Sequence, residues 1–151
     1  MRWLIGPKRI GKTTKLLNVF LQDPRDAFYI CPTWARAKSV CISARKICDQ
    51  NKLYWEATTY NLEININGIL KKFVSFDYFQ SFNINQEQKN MPKFIDDTDS
   101  ILQSMFNNVL YASGTGPNLN WANIHSKEMM EKAKNMLPHE VYLTDFTREW
   151  E

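Results

Sequence analysis

Apolar residues in this chain come in short blocks, and the spacing within the blocks changes several times along the sequence. Met1-Arg2-Trp3-Leu4-Ile5 can form a short strand, and Thr14-Lys15-Leu16-Leu17-Asn18-Val19-Phe20-Leu21 can form a helix that Asp23-Pro24 stops. Ala27-Phe28-Tyr29-Ile30-Cys31 is an apolar run of the buried-strand kind, ended by Pro32. Thr33 can then cap a second helix reaching about Asn51, with apolar residues at Trp34, Ala37, Val40/Cys41, Ala44 and Ile47/Cys48. Leu62, Ile64 and Ile66 alternate with Glu63, Asn65 and Asn67, and Asn67-Gly68 is a strong hairpin signal. With those two residues as the turn, Ile66 faces Ile69, Ile64 faces Lys71 and Leu62 faces Phe73.

The pattern weakens over residues 77–91, where Tyr78, Phe79 and Phe82 precede a polar run. These aromatics suit packing of a short helix better than base stacking, because no basic cluster accompanies them. A strand pattern returns over Pro92-Lys93-Phe94-Ile95-Asp96-Asp97, ending in two carboxylates. Residues 101–106 read as a short helix, and 108–113 as a strand closed by Gly114-Thr115-Gly116-Pro117. Residues 126–137 read as a helix stopped by Pro138, 141–143 as a last strand, and 146–151 as a tail.

Short apolar strands separated by helices predict an α/β fold with a mostly parallel sheet covered on both faces. The hairpin, about residues 59–76, reads as an extension of the sheet edge. In such sheets ligands bind beyond the carboxyl ends of the strands. The segments Gly6–Thr13, Cys31-Pro32-Thr33, Asp96-Asp97 and Ser113-Gly114-Thr115 all fall at those ends.

Composition adds limits. The 151 residues suit one domain, and 44% hydrophobic with 23% charged residues is ordinary for a globular protein. A net charge of +3 permits a nucleic-acid partner without arguing for one. No apolar run approaches the roughly 18 residues needed to span a bilayer, and the first residues run directly into a glycine loop rather than a leader. Cys31, Cys41 and Cys48 form no C-x-x-C pair, so they read as small buried hydrophobes in a reducing cytoplasm. Arg36, Lys38, Arg45 and Lys46 read as the solvated side of the second helix.

The chemistry centres on Gly6-Pro7-Lys8-Arg9-Ile10-Gly11-Lys12-Thr13, which matches G-x-x-x-x-G-K-[ST] between a strand and a helix. Gly6 and Gly11 let the backbone curl so that successive N–H groups face one anion, and the start of the helix adds its positive end. Gly6 through Thr14 would cradle a nucleoside triphosphate. Lys12 would reach its outer phosphates, and the Thr13 hydroxyl would ligate Mg²⁺. Asp96 is placed as the second metal partner, because a hard cation prefers oxygen and keeps several waters. Asp97 is placed to orient or deprotonate the attacking water, with helix capping as its alternative role. Lys8 and Arg9 are candidate cations for transition-state charge, and Ser113 and Thr115 candidate contacts to the terminal phosphate or the water.

Taken in order, the Gly6–Thr13 loop, Tyr29-Ile30-Cys31-Pro32-Thr33-Trp34-Ala35-Arg36-Ala37-Lys38, the Asn67-Gly68 hairpin, Phe94-Ile95-Asp96-Asp97 and Ser113-Gly114-Thr115-Gly116-Pro117 resemble the ATPase domain of phage large terminases and related superfamily-two helicase-like motors. That resemblance implies a P-loop NTPase fold of the RecA/ASCE-like kind, a three-layer sandwich with an added hairpin. It also implies ATP and Mg²⁺ as ligands, DNA as partner, and oligomers or a partner subunit to complete the site. Two departures stand out. Asp97 replaces the usual Glu, setting its carboxylate back by about 1.5 Å, one C–C bond, and neither an upstream base-reading segment nor a nuclease segment is present in the sequence. The loop and following helix are also similar to the opening of thymidine kinases, which would make the chain a nucleoside kinase. The third reading is a weakly hydrolytic nucleotide-binding module that regulates a partner.

Overall fold

The computed structural model describes residues 2–5, 12–57, 62–81, 86–96, 107–114 and 140–142. The chain runs β1 (Arg2–Ile5), α1 (Lys12–Gln22), β2 (Ala27–Cys31), α2 (Trp34–Gln50), β3 (Trp55–Ala57), β4 (Glu63–Ile66), β5 (Ile69–Ser75), α3 (Phe76–Ser81), α4 (Gln86–Asn90), β6 (Lys93–Ile95), β7 (Val109–Gly114) and β8 (Glu140–Tyr142). The expected helices over 101–106 and 126–137 and the tail lie outside the described residues.

All eight of these strands join one sheet in the order β3-β4-β5-β2-β6-β7-β1-β8. The run from β5 to β8 is parallel throughout, and β4 and β3 add an antiparallel edge. The parallel sheet with a hairpin at its edge is therefore as the sequence predicts. One strand, β7, separates β1, which leads into the glycine loop, from β6, which leads into Asp96.

Helices cover both faces, and neighbouring residues of β2 show it. Tyr29 packs against Phe20 of α1 at 5.3 Å between ring centroids, while Phe28 on the opposite face packs against Phe79 of α3 at 5.2 Å. Strand β2 is accordingly buried at every position, as a central parallel strand must be. Phe20 is the hub of the α1 face, with Phe73 at 5.3 Å and Phe94 at 5.1 Å in edge-on contact. The stacking alternative for Phe79 gives way to packing, and Phe82 lies outside the described residues.

Helix α2 forms because Thr33 caps it: the Arg36 N–H donates to Thr33 Oγ1 at 3.1 Å. Its inward stripe is Ala37, Val40, Cys41, Ala44 and Cys48. Trp34 departs from the expected stripe and is 51% exposed, because it sits on the first turn, where the helix is just leaving the sheet rim. The hairpin turns through Asn67 (φ 53°) and Gly68 (φ 88°), both left-handed as a two-residue turn of this twist demands. Its register pairs Ile66 with Ile69 and Ile64 with Lys71, and Phe73 N–H donates to Leu62 O at 2.8 Å, as expected.

Helix α3 is the short helix expected around Tyr78 and Phe79, whereas strand β3 and helix α4 are elements that sequence pattern does not announce. β3 is three residues long and pinned by Trp55, whose indole N–H donates to Asp49 Oδ1 at 2.7 Å. The Arg45 guanidinium lies 5.7 Å from the centre of the Trp55 ring.

Candidate functional site

Asp96 follows β6 directly, and its N–H still donates to Ile30 O of β2 at 2.9 Å. That bond fixes the backbone one step past the strand and turns the side chain onto the α1 side of the rim. The carboxylate is 3% exposed. A buried charge of this kind requires hydrogen bonds and a counter-charge, and three side chains from three elements supply them. Ser113 of β7, 1% exposed, donates its hydroxyl to Oδ1 at 3.1 Å. Thr13, in the first turn of α1, lies 3.4 Å from the same oxygen through Oγ1. Arg36 of α2 donates to Oδ2 through both Nε and Nη2 at 3.3 Å.

Arg36 makes one further bond, from Nη2 to Thr13 Oγ1 at 2.8 Å. Its guanidinium thus bridges the hydroxyl and the carboxylate that the sequence assigns to a metal. Arg36 is therefore not simply part of a solvated helix face, although its side chain remains 45% exposed. The sequence signal for it was present but not distinctive: position 36 follows the Thr33 cap by three residues, on the turn that overhangs the rim.

Behind the carboxylate stand Tyr29 and Cys31, side by side on the same face of β2. The Tyr29 hydroxyl is fully buried and faces Asp96, with no partner at ordinary hydrogen-bond geometry among the described residues. Burial first, and the Asp96 charge second, hold its pKa well above the phenol value of 10.0. The same two causes, in the same order, raise the Cys31 thiol. These groups stay neutral and make the wall behind Asp96 apolar.

Of the residues assigned from sequence, the structure brings together Thr13, Asp96 and Ser113. Lys12 opens α1 beside them, half-buried, and Thr14 is exposed on the same turn. Gly6, Pro7, Lys8, Arg9, Ile10, Gly11, Asp97 and Thr115 lie outside the described residues.

Thr13 and Asp96 are a donor set of hard oxygens, which fits Mg²⁺: such ions are held by one or two carboxylates together with water and phosphate. Among the described residues no cluster of three His, Cys, Asp or Glu side chains forms a metal cage, and a site of this type does not need one. A cavity of about 130 Å³ lies elsewhere, beside Phe28, Trp34, Lys72, Val74 and Tyr78. Thr13, Arg36, Asp96 and Ser113 do not line it.

No family model matches the sequence, and no curated protein matches it significantly. Solved structures do. The large terminase of bacteriophage HK97 superposes with a TM-score of 0.58 at 15% identity, over 94% of this chain and 34% of that one. The large terminase of a thermophilic bacteriophage, solved in complex with ADP, gives 0.55 at 12% identity, over 99% of this chain and 42% of that one. The fold is similar to that of phage large terminases. The likeness covers nearly all of this chain, which spans about a third to two-fifths of the length of those proteins. No described helix is long and apolar enough to cross a membrane.

Proposed function

We propose that this chain binds ATP with Mg²⁺ and hydrolyses it in work on DNA, as a terminase-like ATPase. The observation that carries the reading is the meeting of Thr13 and Asp96. They are 83 residues apart in sequence, yet the hydroxyl stands 3.4 Å from the carboxylate at the end of the sheet toward which the glycine loop leads. A strand, a G-x-x-x-x-G-K-T sequence, a helix and an acidic residue two strands away have the chemistry of a phosphate-and-metal site, which supports the reading. The terminase-like fold supports it independently, and the terminase of the thermophilic phage was solved with ADP.

Each residue then has a task. The loop N–H groups and Lys12 hold the outer phosphates, and Thr13 and Asp96 hold the metal, which screens phosphate charge when bound. Ser113 fixes the Asp96 rotamer by donating to Oδ1. Asp97 orients the attacking water, and Lys8 or Arg9, or a cation from a neighbouring chain, meets the charge that develops on the terminal phosphate.

The test is phosphate release from ATP with and without DNA, together with phosphate transfer to nucleosides. The expected outcome is release that DNA stimulates and that Lys12→Ala lowers by at least about 100-fold, the scale of losing a group that stabilises the transition state. Transfer to a nucleoside would establish a kinase instead. Nucleotide binding with neither reaction would establish a regulatory module.

A further inference from the structure

Arg36 occupies a place the sequence assigned to a metal. A threonine hydroxyl can donate one hydrogen bond and accept others. Here Thr13 Oγ1 is turned toward Asp96 Oδ1 and takes the Arg36 Nη2–H at 2.8 Å. The oxygen face that a cation would use is thus covered by a guanidinium, and Oδ2 of Asp96 is covered by the same group. Two cations cannot share these two oxygens without strong repulsion.

Asp96 needs a positive partner at all times, because it is buried to 3% exposure. Arg36 supplies one in the structure, and it is built to leave. Its backbone is fixed by the Thr33 cap, at 3.1 Å from Arg36 N to Thr33 Oγ1, while its side chain is 45% exposed. It can therefore swing without disturbing the buried stripe of α2.

We propose that Arg36 is a placeholder cation. It neutralises Asp96 while the site lacks metal and nucleotide, releases Thr13 and Asp96 when both arrive, and then pairs with the terminal phosphate of a nucleoside triphosphate. The proposal rests on the nucleotide-binding reading above. It makes Arg36 a positioning residue for the metal and a specificity residue for triphosphate over diphosphate. A guanidinium suits the second role, since its planar fork matches phosphate oxygens two at a time.

The experiment uses the full chain and two binding measurements. Mn²⁺ is titrated without nucleotide and followed by its paramagnetic signal. Fluorescent ATP and ADP analogues are titrated with Mg²⁺ present. Arg36→Ala should tighten Mn²⁺ binding by about tenfold or more, an increase that adding Thr13→Ala removes. It should also lower the preference for the triphosphate over the diphosphate by about tenfold, the scale of one charge-assisted hydrogen bond. Arg36→Lys keeps a charge but lacks the planar fork that spans Thr13 and supplies both donors to Asp96, and it should fall between the two in both measurements. It also serves if the alanine variant fails to fold. An unchanged Mn²⁺ affinity, or an unchanged triphosphate preference in protein that binds both nucleotides, overturns the placeholder role alone. A wild-type chain that binds neither nucleotide overturns the nucleotide reading and this proposal together.

Discussion

Two lysine ammonium groups lie inside the structure at the opposite end of β2 from Asp96. Lys71 and Lys93 are both 0% exposed, and each ammonium donates its hydrogen bonds to backbone carbonyls, with the Asn107 amide oxygen added at Lys93, rather than to carboxylates. Lys71 Nζ donates to Asp23 O at 2.9 Å and Arg25 O at 2.6 Å, just past the carboxyl end of α1, and stands 5.0 Å over the Phe20 ring. Lys93 Nζ donates to Lys89 O, to Met91 O at 2.8 Å and to Asn107 O at 2.9 Å. The two ammonium groups satisfy carbonyls at or just past the carboxyl ends of α1 and α4, which helix termini leave open. Burial still disfavours the charge and lowers both pKa values from 10.5 to about 8. Below pH 8 both lysines are protonated folded and unfolded, so the cost of burying charge is fully present. Above it the folded chain sheds protons that the unfolded chain keeps, so stability rises. The thiols and Tyr29 act oppositely, because their pKa values are raised on folding. Their contribution is present at low pH and is lost above about pH 9 to 10. Urea unfolding should therefore show stability increasing between pH 8 and 9, by up to about 1 kcal/mol per lysine before solvent screening is allowed for. Lys71→Met or Lys93→Met should each flatten that slope. An identical slope in wild type and both variants would refute the assignment.

At the scale of elements, α1 ties the site to the core. Its first turn carries Lys12 and Thr13, and its buried side carries Leu16, Leu17, Phe20 and Leu21. The spacing puts site and anchor on one rigid rod, so packing at Phe20 fixes where Thr13 stands relative to Asp96. Phe20→Ala should cost about 3–5 kcal/mol, the range for deleting a fully buried aromatic side chain. Chemical denaturation measures this, and a loss under about 1 kcal/mol would show that Phe20 is not the hub its three ring contacts describe. The hairpin is tied in on one side only: β5 pairs with β2 and carries Phe73 to Phe20, while β4 closes on its own turn and widens the sheet away from Asp96.

At the scale of the molecule, the site is assembled from α1, α2, β6 and β7, so a ligand there clamps elements distant in sequence. Binding to the folded state alone raises stability by mass action, by about 2.7 kcal/mol at a ligand concentration 100 times Kd. For a chain of this size that is a rise in Tm of roughly 5–10 °C. A non-hydrolysable ATP analogue with Mg²⁺ should produce such a shift in wild type and little in Lys12→Ala. Equal shifts in both proteins would place the ligand elsewhere.

How much could be read before folding depends on how far apart the interacting residues lie. The loop, the Thr33 cap, the Asn67-Gly68 turn and its register are local, and backbone geometry over a few residues decides them. The pattern of apolar runs points to a mostly parallel sheet though not to each short helix, and the order that places β7 between β1 and β6 is a tertiary outcome. β3 escaped because three residues carry no period, and only Trp55 reaching Asp49 and Arg45 holds them. Lys71 and Lys93 escaped because nothing in an alternating strand says that a lysine will meet open carbonyls. Arg36 escaped for the same reason: as a sequence position it is one cation among several on a helix. Sequence by itself determined the residue types that can hold a phosphate and a hard cation, since those are fixed by covalent chemistry and local turns. Tertiary structure alone decided that Asp96 is buried, and a buried carboxylate must find its positive partner in whatever element the fold brings near, here the first turn of α2.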